Sequence, residues 1–87
     1  MDNQQPSNIN IFYREPKKGF GFIYKYTSPS NHSYIGQTIH NLNQRARNSY
    51  NGNGYKKCKV FWSAIQKYGW NKFTVEILEE VPICDLN

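Results

Sequence analysis

The feature that most constrains the fold is an eight-residue run, Phe20-Gly21-Phe22-Ile23-Tyr24-Lys25-Tyr26-Thr27, in which an aromatic residue recurs at every second position. Successive side chains of a strand point to opposite faces, so this spacing lines Phe20, Phe22, Tyr24 and Tyr26 along one face of a sheet. The next six residues, Ser28-Pro29-Ser30-Asn31-His32-Ser33, are turn formers. Residues 34–37 then read as a second, short strand, and the two make an antiparallel hairpin. If Tyr26 pairs with Tyr34, Tyr24 stands opposite Gly36, and Tyr24 and Tyr34 share a face within diagonal reach. A slip of one residue would put them on opposite faces. A glycine inside a strand, as at Gly36, points to close approach of another backbone or a ligand.

A helix is predicted from Asn41, which can cap the first-turn N–H groups, with Gln44 placed as in a capping box. Leu42, Ala46 and Tyr50 form its inward stripe, and Arg45 and Ser49 lie together on the neighbouring one. The loop Asn51-Gly52-Asn53-Gly54 ends it. A second helix over residues 57–68 puts Cys58, Phe61, Trp62, Ile65 and Tyr68 at helical spacing, which makes Cys58 a core residue, and Gly69 is its C-cap. Lys56, Lys57 and Lys59 at its start oppose the helix dipole. Either a bound phosphate or solvent screening would relieve that conflict. Residues 73–78 form a third strand, ended by Pro82. The order β-β-α-α-β gives an α/β (α+β) domain: a central three-stranded antiparallel sheet flanked by helices. Residues 1–18, polar and Asn/Gln-rich with Pro6 and Pro16, read as a flexible N-terminal arm that docks at most through Ile11, Phe12 and Tyr13. Residues 19–87 are the domain, since 87 residues support one core.

Charge is distributed unevenly. Between Glu15 and Glu76 lie 60 residues without an acid, carrying Lys17, Lys18, Lys25, Arg45, Arg47, Lys56, Lys57, Lys59, Lys67 and Lys72. Glu76, Glu79, Glu80 and Asp85 follow with no base among them. Soluble faces ordinarily mix the two signs. A block of one sign reads as a polyanion-binding surface, nucleic acid before all others, against the plainer reading of a solvated face. Lys25, Arg47, Lys57 and Lys59 are the candidate DNA contacts. Tyr55 and Trp70, in loops near lysines, are candidate contact residues too, although Trp70 can equally pack under the second helix. The aromatic share of 16% argues against disorder. No apolar run approaches the ~18 residues of a membrane helix. The residues after Met1 lack the basic and apolar parts of a signal peptide. Two cysteines make no disulfide framework, so an intracellular chain with reduced thiols is expected.

No phosphate-binding loop, dinucleotide fingerprint or paired-cysteine motif is present. His32, His40, Cys58 and Cys84 show no metal-ligand spacing, so no residue is assigned to a metal. The hairpin is the remaining chemistry. Two tyrosines over a glycine, beside a helix bearing Arg45, could handle a phosphodiester. A phenol whose pKa is depressed by cations can take a proton from water, and a guanidinium can hold the phosphate. The same tyrosines would serve as plain core aromatics of a sheet.

These residues resemble the GIY-YIG nuclease superfamily, with phage, homing and large-virus endonucleases nearest in pattern. The matching stretches are GFIYKYTSPSNHSYIGQT at 21–38, LNQR at 42–45 and FWSAIQKYGWNKFTVEILEEV at 61–81. The resemblance implies a small sheet-and-helix domain and a metal-dependent endonuclease that hydrolyses DNA phosphodiesters with Mg²⁺ or Mn²⁺. It places Tyr24 and Tyr34 at the two motif tyrosines, one activating water and Tyr34 favoured for that role. Arg45 falls at the phosphate-binding arginine and Gly36 at the motif glycine. Lys56 falls loosely where some members carry a further polar residue.

Three departures matter. Phe22 replaces the glycine of the first triplet. Ser49 stands where many members have a histidine. The family's metal-binding glutamate lies on a helix after the third strand, beyond an LN-type dipeptide, and Glu76, Glu79, Glu80 and Asp85 do not fit that place. The resemblance therefore implies a domain truncated at its C-terminus, without the family's last helix and with its ligand glutamate beyond Asn87. The alternative is a non-catalytic DNA-binding module or an inactive fragment. Oligomeric state is left open, and no membrane contact is expected.

Overall fold

A computed structural model describes residues 11–47 and 51–86. The aromatic alternation forms the central strand β1 (Phe20–Thr27), flanked by β2 (Ser33–Thr38) and β3 (Thr74–Pro82) in the order β2-β1-β3, all antiparallel. Two helices, α1 (Leu42–Ala46) and α2 (Lys59–Tyr68), lie between β2 and β3 in the chain. The architecture is the expected small α+β domain.

The hairpin register is the one that pairs Tyr26 with Tyr34 and Tyr24 with Gly36. Its turn is closed by the Ser28 N–H on the His32 carbonyl and the Asn31 N–H on the Ser28 carbonyl, both 2.9 Å. Asn31 has φ of 70°, which asparagine tolerates better than most residues. Strand β3 runs four residues beyond the expected end. A bulge between Ile23 and Tyr24 admits the extra residue, and Pro82 closes an edge strand opposite Phe20, where a missing ladder donor is tolerated.

The core lies on one face of the sheet. Tyr24 and Tyr26 are buried there with Leu42 and Ala46 of α1, Phe61, Ala64 and Ile65 of α2, and Phe73, while Phe22 is buried apart from that cluster under the Arg14 guanidinium. Tyr55, expected in an exposed loop, is also fully buried, its ring edge-on to Tyr26 at 5.5 Å. Trp70 packs among Phe12, Tyr26, Tyr55 and Phe61. Aromatics bury the most area per residue, which suits so short a chain. The other face carries Lys25 paired with Glu76 at 3.5 Å, and an exposed Ile35 across from Lys25.

Both helices are shorter than their patterns predict. Asn41 caps α1 as expected, its Oδ1 accepting the Gln44 N–H at 2.8 Å, but Arg47 at φ 74° turns the chain away after five residues. Tyr50 of the predicted stripe lies outside the described residues, as does Ser49. Helix α2 starts at Lys59 behind a short helical turn, Asn53–Tyr55, so only Lys59 of the three lysines stands in its first turn. Gly69 ends α2 as predicted, with φ of 94° and its N–H on the Ile65 carbonyl at 2.8 Å.

The first ten residues of the predicted arm lie outside the described ones. Residues 11–18 lie against the domain. Phe12 is buried on Trp70, and the Glu15 carboxylate accepts from Asn41 Nδ2 at 2.6 Å. Glu80 holds both the Arg14 guanidinium (3.3 Å) and the Lys17 N–H (2.7 Å).

Candidate nucleic-acid interface

An open groove of about 460 Å³ lies where the hairpin, the end of α1 and the start of α2 meet. Tyr24, Tyr34 and Gly36 come to it from the sheet, Arg45 from α1, Tyr55 from the short turn, and residues 58–61 from α2 and its approach. Every residue expected at the centre of the site therefore borders one concavity.

Gly36 owes its identity to Tyr24. A Cβ at position 36 would stand 2.6 Å from Tyr24 Cζ, closer than any side chain tolerates. The close approach expected over this glycine is made by a phenol ring of the neighbouring strand. Tyr24 itself is only 3% exposed. Burial raises its pKa, and the hydrogen bond with Tyr55 and the charge of Arg45 lower it by less, so the phenol stays protonated at neutral pH. Tyr26 and Tyr55 are pushed up as well, burial being the largest cause for each, and their hydroxyls meet at 3.1 Å. Tyr24 and Tyr55, which line the groove, and Tyr26 behind them are neutral, mutually bonded phenols. Tyr34 differs from them: it is half-buried and stacks on Phe61, with ring centroids 4.9 Å apart and planes 22° from parallel.

Arg45 is the anchored charge in this groove. Its Nη1 donates to the Gly54 carbonyl at 2.8 Å, its Nη2 approaches Cys58 Sγ at 3.7 Å, and the guanidinium lies 4.4 Å over the Tyr55 ring. Gly54 lets the chain pass this close, since a Cβ there would meet the Ala46 carbonyl carbon at 2.7 Å. Burial works against the Arg45 charge, but Tyr24, Tyr55 and Cys58 favour it and the pKa is raised overall. The Gly54 carbonyl and the protonated phenols carry no charge, and among the described residues no carboxylate lines the groove. Arg45 is thus oriented without being neutralised.

The remaining candidates are dispersed. Lys59 lines the groove. Lys56 lies 6.0 Å over the Trp62 ring and Lys57 is exposed on the approach to α2, neither of them lining it. Arg47 is exposed at the end of α1, and Lys25 is paired with Glu76 on the opposite face. Tyr55, a candidate contact residue in the sequence, borders the groove from a buried position, and Cys58, which the helical spacing places in the core stripe, borders it as well. Because α2 begins at Lys59, two residues later than the spacing predicts, Cys58 falls outside that stripe, exposed and beside Arg45.

The metal-dependent endonuclease expectation is corrected here. Among the described residues no three His, Cys, Asp or Glu side chains come together in a way that could hold a metal ion. Glu76, Glu79 and Glu80 all lie on β3, separated from β2 by the whole of β1. Glu76 and Glu80 hold Lys25, Arg14 and the Lys17 backbone. The groove carries Arg45 and Lys59 instead, whose charges repel Mg²⁺ or Mn²⁺. A metal-dependent hydrolase of the homing-endonuclease kind is therefore not what the described residues assemble. The arrangement fits the alternative better. No helix among the described residues is long and apolar enough to cross a membrane. No protein family, curated protein or solved structure matches the chain.

Proposed function

We propose that this chain is a non-catalytic DNA-binding module, akin in its hairpin and arginine helix to the GIY-YIG domain, that seats a backbone phosphate against Arg45. The observation that carries the reading is the guanidinium held in an open groove by neutral partners alone. A phosphate entering there meets a fixed planar donor, with no acid among the described residues of the groove to compete for it. Lys59 adds charge at the same groove, and Lys57 and Arg47 are the nearby exposed cations in sequence. Phosphate contacts of this kind position a protein on DNA without reading its sequence.

The test is fluorescence anisotropy with labelled DNA, in EDTA and in Mg²⁺, for the chain and for Arg45→Ala. Binding is expected to be equal with and without Mg²⁺, with the DNA recovered uncut. Arg45→Ala should weaken it about 10- to 100-fold, the range for losing a hydrogen bond to a charged group. Equal binding by the variant would overturn the role of Arg45.

A further inference from the structure

We infer that the groove takes an unpaired nucleotide of single-stranded DNA rather than the backbone of a duplex, an inference that rests on the DNA-binding reading above. Three observations point to it. First, Arg45 is recessed. It is half-buried and anchored by the Gly54 carbonyl and the Tyr55 ring, so a phosphate must enter the groove to reach it. A flexible strand can bend a phosphate inward, whereas a duplex presents its phosphates on a stiff rod. Second, about 460 Å³ falls in the range of pockets that enclose small molecules. A contact made only to the outside of a duplex backbone needs no such concavity.

Third, the groove is amphiphilic. Tyr34 borders it half-buried, backed by Phe61, and Val60 in the first turn of α2 borders it 75% exposed. An aromatic and a bare aliphatic side chain beside two cations suit a ligand that joins an anion to a flat apolar body. An unstacked nucleotide has that chemistry. Its phosphate pairs with Arg45 and Lys59, and its base lies against Tyr34 and Val60. Single-strand binders combine cationic grooves with such stacking surfaces. In a duplex the base faces are stacked on one another and cannot make this contact. The neutral phenols of Tyr24 and Tyr55 keep the neighbourhood free of negative charge.

The experiment compares three labelled probes of one sequence by anisotropy: a single strand, the same strand with its bases removed at abasic sites, and the duplex. The single strand should bind about tenfold more tightly than the abasic strand, the scale of one base–aromatic contact, and more tightly than the duplex. Val60→Ser, at a position too exposed to affect folding, should weaken the single strand severalfold and leave the duplex unchanged. Equal affinity for intact and abasic strands, or tighter duplex binding, overturns this inference and leaves the DNA-binding reading standing. Absence of binding to all three probes overturns both.

Discussion

The two edges of the sheet use the same residue types to opposite ends. At the β3 edge, cations meet acids: Arg14 pairs with Glu80, and Lys25 pairs with Glu76. There the charges tie residues 11–18 and β1 to β3. At the β2 edge, Arg45 meets a carbonyl, a thiol and an aromatic face, and no acid among the described residues. Its geometry is fixed while its charge remains available. The difference teaches that a basic residue's role follows from its partner. Sequence charge counts treat Arg14, Lys25 and Arg45 alike, yet only the last is placed to receive an outside anion.

The largest contrast should appear at high pH. Tyr24, Tyr26 and Tyr55 all have folded pKa values raised above the ordinary 10.0 by burial. Below pH 10 the phenols are protonated in both states, and their full contribution to stability is present. Above it the unfolded chain releases protons that the folded chain retains, so stability falls as pH rises, by up to about 1.4 kcal/mol per pH unit for each phenol. Urea denaturation at rising pH should show a steep alkaline loss, with phenolate absorbance appearing together with unfolding. Phenolate absorbance appearing in full before unfolding would break the picture of a sealed phenol cluster beneath the groove.

Arg45→Ala and Arg14→Ala give the next largest contrast. The first should lose DNA affinity about 10- to 100-fold, and the second should stay within about twofold, since Arg14 is held by Glu80 and does not line the groove. Equal losses would erase the distinction between the two edges. Gly36→Ala comes next. Its methyl group would press into Tyr24, so chemical denaturation should show a loss of about 1–3 kcal/mol, the usual cost of overpacking. Arg47→Gly should move the other way. Relief of a positive φ should raise stability by up to about 1 kcal/mol, as thermal melting would show.

Much of this fold is legible in the residues. The alternation Phe20 to Tyr26 and the Tyr26–Tyr34 spacing specify a hairpin whose register puts Tyr24 on Gly36, because a one-residue slip would expose the whole aromatic face. Asn41 marks its helix because an amide oxygen at that place satisfies a free N–H. The misreadings share a cause. Periodicity marks only one side of an element, so it cannot show that α2 starts past Cys58 or that Tyr55 dives into the core from a Gly/Asn loop. The bulge at Ile23/Tyr24 shifts the alternation of β3 after Ile77, which hid its last four residues. Within the site, Tyr24, Tyr34, Gly36 and Arg45 converge because they ride on elements with clear patterns. Lys25, Lys56 and Lys57 do not, because charge carries no periodic signal of where it points.

The most direct test of the central claim is the salt dependence of DNA binding. If Arg45, Arg47, Lys57 and Lys59 all neutralise phosphates, the logarithm of affinity for single-stranded DNA should fall linearly with the logarithm of salt concentration, with a slope of about −2.8. Arg45→Ala should reduce that slope by about 0.7. Binding that is indifferent to salt, or a slope that Arg45→Ala leaves unchanged, would contradict the account of Arg45 as an oriented, unneutralised phosphate receptor.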